Sequence, residues 1–80
     1  MFKVGDYVKG KIGSFKEYGI TNEHMVLGVV TEVYGDDTSE CDNMDVYVLK
    51  HTVSYTGSKF PVHSKYFIKA NERDDGNEDF

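Results

Sequence analysis

Four residues of metal-ligating type, His24, Cys41, His51 and His63, are scattered through the chain, and no two stand at the close spacing of a zinc knuckle or finger. A single cysteine cannot build a thiolate-rich structural site, so no metal and no cofactor is expected. Asp36, Asp37, Glu40, Asp42 and Asp45 fall in one short oxygen-rich segment, but the order of a calcium-binding EF-hand loop, with its central Gly and terminal Glu, is absent. A solvated acidic loop is the simpler reading. Ser, His and Asp are all present, yet no serine lies in a strand-to-helix elbow of the G-x-S-x-G kind. The chain is therefore expected not to be an enzyme.

Binding chemistry has better candidates. Tyr7, Lys9 and Lys11 share one parity of the first strand segment, with Lys3 and Lys16 nearby, and such a basic-aromatic face could contact phosphate and stack on bases. Against this stands a net charge of −5 and an isoelectric point near 5.0, which give no general attraction to nucleic acid. Phe15, Tyr18 and Tyr55 fall in loop segments, where aromatic side chains frequently anchor protein interfaces. Three functional classes follow: a non-catalytic protein-interaction module, an acidic inhibitor that imitates nucleic acid on a nucleic-acid-binding protein, and a weak direct nucleic-acid binder.

The charge is unevenly placed. Glu72, Asp74, Asp75, Glu78 and Asp79 face only Arg73 in the last ten residues, so most of the net negative charge lies in that segment. Within residues 1–70 the acidic run from Asp36 to Asp45 contains no basic residue, and the remainder carries eight lysines against four acids. The body is thus polarised between an acidic loop and a mildly basic remainder.

These groups must be positioned by a small framework. Eighty residues make one domain, with roughly 60 to 65% of the unfolded chain's surface buried, which favours surface recognition over a deep substrate cavity. The lone cysteine, Cys41, points to a reducing, cytoplasmic setting or to a protein indifferent to redox state. The longest apolar stretch, Met25 to Val30, is far short of a membrane span, and the start of the chain lacks a signal-peptide apolar region.

Period-two alternation predicts a first strand over Asp6–Ile12, with Val4, Val8 and Ile12 inward and Tyr7, Lys9 and Lys11 outward. Residues 13–24 read as a long loop. Met25–Tyr34 is apolar on both parities up to Val30, as in a bent strand buried on both sides, with Gly28 at the bend or bulge. Gly35–Asn43 is a polar loop, and Met44–Thr52 alternates again. A Gly57-Ser58 turn leads to a short strand over Phe60–Val62 with Pro61 at an edge. Ser64–Tyr66 suits one 3₁₀ turn and Phe67–Ala70 a closing strand. Residues 71–80 read as a mobile acidic tail.

Five short strands, a long first loop and a Ser-x-Tyr turn before the last strand resemble the Src-homology-3-like (SH3-like) barrel. The run Val4-Gly5-Asp6-Tyr7-Val8 followed by Gly28-Val29-Val30 is similar to the opening of small bacterial and bacteriophage barrels of this class. His63-Ser64-Lys65-Tyr66-Phe67 is similar to the turn-and-strand ending of true Src-homology-3 domains. The resemblance implies an all-β, five-stranded barrel over residues 1–70 and an accessory protein that binds macromolecules. Of the polyproline-binding residues only Tyr66 has a match. The chain has no Trp and keeps only Asp6-Tyr7 of the aromatic first strand, so that groove is incomplete. Open edges in such a barrel could also pair with a second copy.

Overall fold

The computed structural model describes residues 2–11 and 24–71. Five strands form one antiparallel sheet: β1 (Tyr7–Gly10), β2 (Met25–Val33), β3 (Met44–His51), β4 (Lys59–Val62) and β5 (Phe67–Lys69), in the order β4-β3-β2-β1-β5. A single 3₁₀ turn, Ser64–Tyr66, connects β4 to β5. No helix among the described residues is long and apolar enough to cross a membrane. The expected loop over 13–24 lies outside the described residues except for His24, and so do Ile12 and the expected acidic tail beyond Asn71.

The chain enters the sheet through a tight turn. The Asp6 amide donates to the Lys3 carbonyl at 3.0 Å, and Gly5 takes φ 93°, the third position of a type II turn where a side chain would be strained. The Asp6 carboxylate accepts the Lys3 amide at 3.0 Å, and the Gly5 amide and Asp6 carbonyl bond to Val30 on β2. A second turn of the same kind, Tyr55 to Ser58 with Gly57 at φ 88°, joins β3 to β4.

The core lies on one face, where Val8, Met25, Val30, Met44, Val46, Val48, Val62, Tyr66 and Phe67 pack together. Alternation along β3 explains this directly: Met44, Val46 and Val48 are buried, while Tyr47 between them is exposed. In β2 both parities are buried from Met25 to Gly28, and the register against β3 shifts around Leu27 and Gly28 and again between Val30 and Glu32. The bend expected at Gly28 is present. A Cβ there would lie 2.5 Å from a Val46 methyl carbon and 2.9 Å from the Met25 sulfur, so glycine is required by the close approach of β3.

The closed barrel expected from the sequence is not formed: the sheet is open. β4 pairs only with β3 and β5 only with β1, leaving both as edges. Both edges are poor templates for a further strand. Pro61 removes an amide from β4, and β5 is three residues long.

Candidate functional site

The acidic loop is a built structure. Asn43 is fully buried, and its side chain joins three segments: Nδ2 donates to the Asp36 carbonyl and to Ser64 Oγ, both at 3.0 Å, while Oδ1 accepts the Ser64 amide at 2.9 Å. Ser64 Oγ in turn donates to Asp37 Oδ1 at 2.6 Å. His63, also buried, caps the 3₁₀ turn by accepting the Lys65 amide at Nδ1, 3.0 Å away. That leaves the ring proton on Nε2, which donates to the Ser39 carbonyl at 2.7 Å. These bonds latch residues 36–39 onto the start of the turn before β5.

Within the loop, Asp36 accepts from the Thr38 hydroxyl at 2.7 Å and the Thr38 amide at 3.1 Å, and Ser39 Oγ accepts the Cys41 amide. The Asp36 carboxyl is held below the usual carboxylate value chiefly by the Thr38 hydroxyl, and Asp37 chiefly by the Ser64 hydroxyl. Glu40 and Cys41 point to solvent and Asp42 is half-buried. The solvated loop read from composition is therefore half latch and half exposed charge.

Carboxyls that titrate lower in the folded chain than in the unfolded one add stability above the ordinary carboxylate range, and this is lost as pH falls through their folded values. Asp37→Asn cannot carry the charge. The gap in urea-unfolding stability between wild type and Asp37→Asn is therefore expected to be open at neutral pH and to close below about pH 4. A gap independent of pH would contradict the role given to this carboxylate.

The opposite face of the sheet carries a cross-strand row: Tyr7 on β1 pairs with Val29 on β2, Val29 with Tyr47 on β3, and Tyr47 with Lys59 on β4. Tyr47 is 40% exposed, Lys59 is exposed, and Tyr7 and Val29 are half-buried. One step toward the acidic loop, Asp45 stands between Glu32 and Pro61. Glu32 and Asp45 are like charges on directly opposed positions, an arrangement that weakens a sheet unless something offsets it. Tyr34, 49% exposed, donates its hydroxyl to Asp45 Oδ1 at 3.1 Å and to the Met44 carbonyl at 3.2 Å. Desolvation and the Asp45 carboxylate push the Tyr34 phenol above its ordinary range.

The basic-aromatic face is dispersed. Lys9 is only 8% exposed, so it does not stand outward as its parity predicts. Lys11 is exposed, with its amide donating to the Tyr66 carbonyl. Tyr66 is a core residue at 7% exposure, with the Lys65 ammonium 5.1 Å from its ring centre, and offers no open groove. Tyr55 is exposed beside the second turn, edge-on to His51 and to Phe60 at 5.0 and 5.6 Å between ring centres. Phe15 and Tyr18 lie outside the described residues. No group of three or more His, Cys, Asp and Glu suited to a metal occurs among the described residues.

Sequence reasoning missed Asn43, Ser64 and His63 as a unit and passed over Tyr47 and Tyr34. The signal for Tyr47 was available: a large aromatic on the polar parity of an alternating strand. No family model matches the chain, and no curated protein or solved structure is significantly similar to it.

Proposed function

We propose that the chain is a non-catalytic protein-interaction module on a Src-homology-3-like framework, working through the outer face of β2, β3 and β4. The strand order, with a 3₁₀ turn between the fourth and fifth strands and the fifth paired to the first, supports that framework. The observation that carries the function is Tyr47. It stands exposed at the middle of β3, paired with Val29 on β2 and Lys59 on β4, with Asp45 and Pro61 one step along. Such a large, two-torsion aromatic set in a polar rim is the usual anchor of a protein interface. The groups that resemble catalytic ones, Asp37, His63 and Ser64, are engaged with each other's segments, which favours a structural role for them.

The acidic-mimic reading keeps a place beside it. The latch fixes the loop that carries Glu40 and Asp42 and holds it next to Glu32 and Asp45, a preset array of negative charge suited to a basic partner. Direct nucleic-acid binding loses Lys9 to burial. The resemblance to bacterial and bacteriophage barrels fits an accessory protein in either remaining reading.

Affinity capture from extracts of the native host, with the intact chain as bait, tests the face. Partners retained by wild type are expected to be lost with Tyr47→Ser and kept with Ile68→Ser, which alters an exposed apolar residue on β5. Equal retention by both variants would refute the reading, and loss that follows salt concentration and not Tyr47 would favour the acidic mimic.

A further inference from the structure

We infer that the outer face of β2, β3 and β4 pairs with the same face of a second copy of this chain, as a two-fold dimer centred on Tyr47. The inference rests on the reading of that face given above and names its partner. The face carries both signs of charge at separate corners. Lys59 closes the row at β4, and Glu32 with Asp45 lies diagonally across at β2 and β3. Among the described residues, neither the Lys59 ammonium nor the Glu32 carboxylate has an ion-pair partner.

A two-fold axis lying in the interface and passing beside Tyr47 sets Lys59 of each copy against Glu32 and Asp45 of the other. One contact made twice satisfies both corners. This is the self-complementarity that an isologous interface demands. It also accounts for a like-charged cross-strand pair that weakens the isolated sheet and for Tyr47, Val29 and Pro61 left at the centre of the patch. Pairing is face to face because Pro61 blunts the β4 edge and β5 is short. The patch is small against the roughly 800 Å² per partner of a standard interface, so the dimer is weak and forms at high micromolar concentration.

The test uses sedimentation equilibrium on the full chain, from about 10 μM to about 1 mM. Wild type is expected to show a monomer–dimer equilibrium. Glu32→Lys alone and Lys59→Glu alone each place like charges at both contacts and are expected to weaken dimerisation about tenfold. An equimolar mixture of the two restores every contact: the native Lys59 of one chain meets the native Glu32 of the other, and the two introduced charges meet each other. The mixed dimer is expected to form at least about tenfold more tightly than either variant with itself. Because both variants are exposed surface changes, circular dichroism confirms that each is folded before mixing.

A mixture no tighter than its components overturns the two-fold arrangement. Wild type that stays monomeric to about 1 mM overturns self-pairing alone and leaves the face to the capture comparison. Association unchanged in Tyr47→Ser overturns self-pairing through this face, and the capture comparison tests the reading of the face itself.

Discussion

Asn43→Ala is expected to lower stability by about 3 kcal/mol or more, which in a domain of this size moves the thermal midpoint down by roughly 12 to 24 °C. The alanine leaves the Asp36 carbonyl and the Ser64 amide without the partner that Asn43 supplies, in a place where the side chain is fully buried, and it opens a small void as well. A domain of this length holds only about 4 to 12 kcal/mol in total, so the loss is a large share. Asn43→Asp separates hydrogen bonding from volume. It keeps the shape but puts an acceptor where Nδ2 donates to the Asp36 carbonyl, and it buries a charge close to Asp37. We expect it to cost at least as much as alanine at neutral pH, measured by urea unfolding. An aspartate variant close to wild type would show that the latch does not hold the loop.

Gly28→Ala is expected to cost about 2 to 3 kcal/mol through crowding rather than through loss of contact. The added methyl meets Val46 on the facing strand, the Met25 sulfur and the Tyr47 carbonyl, the last at 3.2 Å. Met25 can swing aside, whereas Val46 is fully buried with one stiff torsion. Val46→Ala makes room for the new methyl at its own cavity cost. The double variant is therefore expected to be more stable than the sum of the two losses predicts, by about 1 kcal/mol. Strict additivity in a double-mutant cycle would mean that the two strands do not approach as closely as described.

Much of this framework was legible because alternation needs no partner information. Met44, Val46 and Val48 announce a buried face on their own, and Gly57-Ser58 and Pro61 mark a turn and an edge from their backbone restrictions alone. Asn43 was not legible. Its role depends on Ser64, twenty-one residues away, and an asparagine beside four acids reads by composition as another solvated loop residue. Lys9 failed for a related reason: parity tells which side of a strand a residue faces, and not whether that side is covered. Tyr66 lies in the 3₁₀ turn, where strand parity gives no signal, so its burial was not legible either. Gly5 was part of a recognised run, but the type II turn it permits became visible only with the bond from the Asp6 amide to the Lys3 carbonyl.

In the proposed function, the latch and the face divide the work of the molecule. Asn43, His63 and Ser64 hold the acidic loop in place, and the proposed binding face stands on the outer side of three paired strands. Amide chemical-shift mapping of the ¹⁵N-labelled chain, recorded as its concentration rises and again with a captured partner, tests this division most directly. Changes are expected to cluster at Val29, Glu32, Tyr47 and Lys59, with Asn43, His63 and Ser64 unmoved. Changes centred on the latch residues, or confined to β5, would contradict it.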